Sequence, residues 1–154
     1  MKKVTKIISV LLAVMVLSTS VVFGIDSKTT TVKYKGDNYG EYTGYVKTKK
    51  ATLNRVSKAK RAKMTKKTIG ATFKKSGITF TVNKIAKNAF KGCKKLKTIV
   101  FKGKVALTVA KGAFSGCKTS KMTFKVTKKM SKANFKKLKK NLKKAGFKGK
   151  IVRK

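Results

Sequence analysis

Two nine-residue segments, residues 85–93 (IAKNAFKGC) and 109–117 (VAKGAFSGC), begin 24 residues apart and agree at six of nine positions. A repeat of that period is too short to fold alone. It suits one coil of a solenoid, whose apolar face is covered only when neighbouring coils stack on it. The repeat therefore constrains the fold more than any other feature of the chain.

The inward set of the first copy is Ile85, Ala89, Phe90, Cys93, Leu96, Ile99 and Phe101, with Ala89 and Phe90 expected on a short helical turn and residues 99–101 on a strand. The matching set of the second copy is Val109, Ala113, Phe114, Cys117, Met122 and Phe124, with Thr119 and Ser120 where a residue like Leu96 would fall. This second copy reads as degenerate and close to the end of the array. Upstream, Ile78, Phe80 and Val82 alternate with Thr79 and Thr81, a strand pattern, and Ser76 with Gly77 marks the turn before it.

The N-terminus predicts export. Lys2, Lys3 and Lys6 precede a mainly apolar run, residues 7–17, and Ser18, Thr19 and Ser20 follow, which is the three-part layout of a cleavable secretory signal. The run is shorter than the ~18 residues a spanning helix needs. Cleavage is expected after Gly24 or Ser20, no cysteine stands there to carry a lipid, and no apolar tail precedes Lys154. The expected layout is a signal over 1–24, a basic tyrosine-containing strand or linker region over 25–67, a repeat array over 68–127, and a capping helix with tail over 128–154.

Charge is the second strong feature. Lys and Arg number 43 against three Asp and Glu, a formal net charge of +40, and no acidic residue occurs after Glu41. A compact chain of this kind repels itself, so its stability should rise with ionic strength or on a polyanion. Solubility is the other reading of the same charge. The chain has no His, Trp or Pro, and Asp26, Asp37 and Glu41 are its only carboxylate side chains. A catalytic triad, a carboxylate pair within the repeats and a histidine-based zinc site cannot be assembled from these residues, and no cofactor is expected.

Cys93 and Cys117 share one repeat position. A buried ladder position fits them, and so does a disulfide, because adjacent coils lie about 5 Å apart and export would permit oxidation. A nucleophilic thiol lacks a partner base. In the N-terminal region, residues 30–35 and 41–47 flank a Gly36-Asp37-Asn38 turn signal and predict a hairpin bearing Tyr34, Tyr42 and Tyr45. Tyrosines beside lysines could stack on sugars or bases, but covering the end of a core is the expected role. Residues 58–67 (KAKRAKMTKK) read as solvated and weakly ordered. Near the C-terminus, Ser131 is the expected cap of a helix that gathers Phe135, Leu138, Leu142 and Ala145 on one face and lysines on the other, with Gly146 as its stop. Such a helix caps the array, or lies on anionic lipid.

The pattern IxxxAFxGCxxLxxIxF over residues 85–101, with AFxGC repeated at 113–117, resembles the leucine-rich repeat of the bacterial BspA-like family. The resemblance covers about residues 68–126, and residues 135–147 resemble the segment that closes such arrays. It implies a mainly β protein with short helices: a short leucine-rich-repeat solenoid with an N-terminal strand region and a C-terminal amphipathic capping helix. It implies a secreted or surface-held interaction module, used in some members for adhesion, with no catalytic residues.

The leading functional expectation is a non-catalytic module in which Lys84, Lys87, Lys91, Lys94, Lys95, Lys97, Lys102, Lys104, Lys111, Lys118 and Lys121 meet an anionic polymer at the cell surface. Flexible point charges suit that task, whereas three arginines against 40 lysines supply bidentate base readout poorly, so sequence-specific nucleic-acid recognition is not expected. The alternative is adhesion to a host or neighbouring-cell protein through the strand face around residues 99–101 and 122–126, with the lysines only solubilising. A membrane-active cationic helix is the third reading.

Overall fold

The structure, a computed structural model, describes residues 31–36 and 40–154. The expected signal, residues 1–24, lies outside the described residues, as do Asp26, Asp37, Asn38 and Tyr39.

Strands β1 (Thr31–Gly36) and β2 (Gly40–Tyr45) form the expected antiparallel pair, with Tyr34 opposite Tyr42. Strand β3 (Lys50–Val56) returns along β2, with a register shift between Glu41 and Tyr42. A single helical turn, α1 (Lys58–Arg61), leads to β4 (Lys66–Ile69). Strands β5 (Thr72–Lys75) and β6 (Ile78–Ile85) form a hairpin whose turn residues, Ser76 and Gly77, both take positive φ, as a two-residue hairpin loop requires. Then follow β7 (Thr98–Phe101), β8 (Thr108–Val109), a 3₁₀ turn at Thr119–Lys121, β9 (Thr123–Val126), helix α2 (Lys132–Lys144) and β10 (Lys150–Arg153). The protein is mainly β, with few short helices and one longer helix near the C-terminus.

Two sheets organise these strands. One runs β1-β2-β3-β6-β5 with β8 also paired to β6, and the other, parallel throughout, runs β10-β9-β7-β4. From β3 onward the chain crosses from the first sheet to the second three times, β3 to β4, β6 to β7 and β8 to β9, and β3, β6 and β8 are themselves paired in parallel. Successive crossings therefore lie side by side, and each covers the apolar side of the one before.

The register places like on like. Lys67, Ile99, Phe124 and Ile151 are neighbours across the parallel sheet, as are Ile69, Phe101, Val126 and Arg153. Between the sheets the turns of the two repeat copies also stack. The N–H groups of Asn88 and Phe90 donate to the carbonyls of Gly112 and Ala113, and the rings of Phe90 and Phe114 lie parallel, 5.2 Å apart. Phe147 extends this column, tilted against Phe114 at 5.2 Å. The repeat spells out why its turns can overlay: Asn88 and Gly112 both sit at positive φ, and so do Gly92 and Gly116. Asparagine and glycine are the residues that accept this conformation most readily.

Helix α2 forms as its sequence dictates. The Ser131 hydroxyl accepts the N–H of Asn134, Leu138 and Leu142 are fully buried, and Gly146 stops the helix at φ 90°. Two amides hold it to the segment leading into β8, with Asn134 donating to the carbonyl of Lys104 and Asn141 to that of Leu107. The chain then passes so close over the 3₁₀ turn that a Cβ on Gly149 would overlap the carbonyls of Met122 and Thr119. Beyond it β10 adds a further strand beside β9, so the parallel sheet continues past the two visible repeats.

Residues 58–67 are mostly exposed, as their basic composition suggests, but they are ordered, forming α1 and the start of β4. Met64 is buried, Lys66 and Lys67 belong to β4, and Lys67 has no exposed surface. Lysine is almost never fully buried without partners. Lys67 occupies the inward position that Ile99 and Phe124 hold in the next strands, and its ammonium lies 6.0 Å from the centre of the Tyr42 ring. The hairpin is thus fitted over this end of the sheet: Gly40 approaches so closely that a Cβ there would lie 2.5 Å from Tyr42 Cε2 and 2.8 Å from Lys67 Nζ. Lys67→Met keeps the volume and removes the ammonium, and taking one member from a buried polar arrangement destabilises, so unfolding stability should fall by on the order of 1 kcal/mol or more in urea titration. A gain of that size would instead mean that the buried ammonium does not help to secure the hairpin.

Candidate functional site

The exposed surface divides into a turn side and a strand side. All eleven lysines expected to meet anions are exposed, yet they do not form one patch. Lys87 and Lys111 occupy equivalent positions in the two stacked turns, as do Lys94 and Lys118, so the backbone pairing brings like charge beside like charge. Lys91 and Lys95 belong to the first of these turns. Lys97 and Lys121 stand just before β7 and β9, whereas Lys102 and Lys104 follow β7 and mark the opposite end of that strand. Lys84 lies on β6 in the first sheet, paired in register with Thr52 and Thr108. Among the described residues one salt bridge forms, Arg55 Nε to Glu41 Oε2 at 2.6 Å. None of the repeat lysines forms an ion pair with a carboxylate among the described residues.

The strand side is narrower than the sequence suggests. Ile99, Phe101, Met122, Phe124 and Val126, expected within the protein-binding face, are buried. A strand turns alternate side chains to opposite faces, and the outward rows are Lys66, Thr98, Thr123 and Lys150, then Thr68, Val100, Lys125 and Val152. This is a small, largely half-exposed surface of hydroxyls, short apolar groups and lysines.

The remaining repeat positions, Ile85, Ala89, Phe90, Cys93, Leu96, Val109, Ala113 and Phe114, are also buried, while Cys117 is half-exposed. Both thiols are free. Cys117 Sγ donates to the carbonyl of Phe90 at 3.2 Å. Burial, reinforced by the neighbouring Cys117, pushes the Cys93 thiol up to about 11, against the opposing pull of Arg61 and Lys67. Burial also raises the Cys117 thiol, and a backbone hydrogen bond from Cys93 opposes it. Neither has the depressed thiol of a nucleophile. No group of three or more potential metal ligands gathers among the described residues.

Several structural residues were missed by sequence reasoning. Met64 and Ile69 repeat the spacing of Leu96 and Phe101, an extra copy hidden because Lys67 stands where isoleucine is expected. Arg61 closes the open side of the first turn, donating to the carbonyls of Val56 and Lys91 and lying over Gly92, where a Cβ would come within 2.9 Å of its Cδ. Thr119 is buried despite its hydroxyl, which is held between the Gly146 carbonyl and the Lys148 N–H. Leu107 and Met130, also fully buried, carry no repeat signal.

Residues 69–152, more than half of the chain, match the family described as BspA type leucine rich repeat region (6 copies). No curated protein and no solved structure matches the chain.

The thiols offer a direct check of this packing. With the Cys93 thiol near 11 rather than 9.0, its thiolate fraction at pH 8 is about a hundredfold below that of an ordinary cysteine. Ellman's reagent should therefore modify the native protein in two phases, Cys117 first, and a Cys117→Ser variant should show only the slow phase. Rapid reaction of both thiols would contradict the burial of Cys93.

Proposed function

Because the chain belongs to the BspA-type leucine-rich repeat family, we propose that it is a non-catalytic binding module whose stacked lysines engage an anionic polymer at a cell surface. The observation that carries this reading is the stacking of the two repeat turns, which sets Lys87 and Lys111, and Lys94 and Lys118, at equivalent positions, with no ion pair to a carboxylate among the described residues. Strands of a sheet repeat at about 4.8 Å, and from stacked turns at a comparable backbone separation two flexible lysine side chains can share a bridging counter-ion. A polyanion supplies many such ions on one flexible strand. In this reading the two parallel ladders are the two sides of a short solenoid, with α2 as its cap, and the lysine-bearing turns form one edge. The signal-like residues 1–24 support secretion, and the same family membership supports a surface or extracellular setting.

A second reading has its own observation. The outward rows Thr98–Thr123 and Val100–Lys125–Val152 make a surface suited to a protein partner, with the lysines as solubilising groups. A lipid-bound role for α2 has less support, because Leu138 and Leu142 are already buried and only the lysine face is open.

Salt separates the two main readings. Binding to polygalacturonate or to lipoteichoic acid should weaken more than tenfold between about 50 and 200 mM NaCl, as counter-ion release requires. The quadruple variant Lys87→Gln, Lys94→Gln, Lys111→Gln and Lys118→Gln should flatten that dependence, while Val100→Ser should leave it unchanged. Salt-independent binding that Val100→Ser abolishes would favour the protein partner.

A further inference from the structure

We infer that the N-terminal hairpin carries a separate binding site, a cleft for one acidic sugar unit, namely a pyranose bearing a carboxylate or sulfate group. The first sheet curls so that β1 approaches β5 across the aromatic cluster of Tyr34, Tyr42, Phe73 and Phe80. Beside this cluster lies a cleft of about 800 Å³, within the usual range for small-ligand pockets. It lies outside the repeats, and none of the lysines assigned to the polymer lines it. The inference stands apart from that reading.

The chemistry of the walls selects the ligand. Lys33, Lys35, Lys75 and Arg55 line the cleft together with Glu41, which stands in register between Lys35 and Arg55 and is engaged by Arg55 at 2.6 Å. Among the described residues that is one carboxylate against four cations, an excess of positive charge that calls for negative charge on the ligand. Bare phosphate would satisfy them equally well, but it offers nothing to the acceptors here. Asn54 donates its amide to Thr43 Oγ1 at 2.6 Å, leaving its carbonyl oxygen to accept, and the Glu41 carboxylate has lone pairs beyond those that Arg55 takes. A ligand must therefore bring hydroxyl donors together with an anion, and acidic sugars carry both on one ring. Tyr34, half-exposed where it meets the cleft, adds apolar surface of the kind that packs on the C–H face of a pyranose, while Tyr42 is buried behind it.

The site is also built in advance. Tyr34 is stacked on Phe73 at 4.3 Å and 5°, and Lys33 donates to the same Thr43 hydroxyl that holds Asn54. Rings and donors fixed before binding reduce the ordering cost of capture.

Calorimetric titration of the full chain with tetragalacturonate and with a chondroitin sulfate tetrasaccharide, alongside maltotetraose and inorganic phosphate, tests the inference and tells carboxylate from sulfate. One of the acidic tetrasaccharides should bind at a single site, and neither control should. Lys35→Gln with Lys75→Gln should weaken binding about tenfold, and the charge-matched pair Lys136→Gln with Lys140→Gln on α2 should change it less than about twofold. Glu41→Gln is the decisive variant. Simple charge attraction predicts tighter binding when this carboxylate is removed, whereas a hydroxyl acceptor predicts a loss of about fivefold. Should Glu41→Gln loosen the hairpin by circular dichroism, Asn54→Ala replaces it with the same expected loss. Tighter binding by Glu41→Gln, equal loss in the two lysine pairs, binding of either control, or no binding of both acidic tetrasaccharides would overturn the inference. Failure here with polymer binding intact would leave the repeat lysines as the working surface.

Discussion

Parallel pairing of successive strands is the constraint on which the rest of the structure depends. A four-residue strand such as β7 buries only two side chains, Ile99 and Phe101. Its stability comes from the neighbours that cover it, β4 on one side and β9 on the other. The same holds for the turns, where Phe90 gains its burial from Phe114, and Phe114 from Phe147. A stack of this kind must be finished at both ends. One end is covered by the hairpin, with Tyr42 over Lys67 and the short α1 turn placing Arg61 on Gly92. At the other, α2 is pinned by Asn134 and Asn141, and β10 completes the sheet.

The stacking that buries the apolar residues also concentrates charge. Where the two copies agree, an outward lysine is carried to a point beside its counterpart, Lys87 beside Lys111 and Lys94 beside Lys118, and the chain has too few carboxylates to intervene. Hydrophobic association along the stack and Coulomb repulsion across its surface are thus set by one register. Ions in solution moderate the second without weakening the first. In the proposed reading binding and stability are linked, since a polyanion held by the lysines would also tighten the stack.

Much of this architecture was legible wherever the residues repeated. The copies at 85–93 and 109–117 marked the stacked turns, and the apolar spacing of Phe135, Leu138 and Leu142 marked the helix. What the repeat did not reveal was hidden by substitution. Lys67 disguised β4, because a charge at an inward position argues against burial until the Tyr42 ring above it is known. Thr119 disguised the end of the second copy, since the Gly146 carbonyl and Lys148 amide that hold its hydroxyl come from 27 and 29 residues further along. The cleft at the hairpin escaped for a similar reason: Tyr34 and Lys75 meet only because the sheet between them curls, and local sequence carries no sign of that curvature.

The most direct test of this account is the free energy of unfolding by urea as NaCl is raised from about 10 to 300 mM, a range over which screening shortens from ~30 Å to well below 10 Å. If stacked lysines limit a fold held by apolar contact between successive strands, stability must rise steadily across that range and level off once neighbouring charges are screened. A flat or falling curve would contradict it, showing that repulsion between the stacked lysines does not limit the fold.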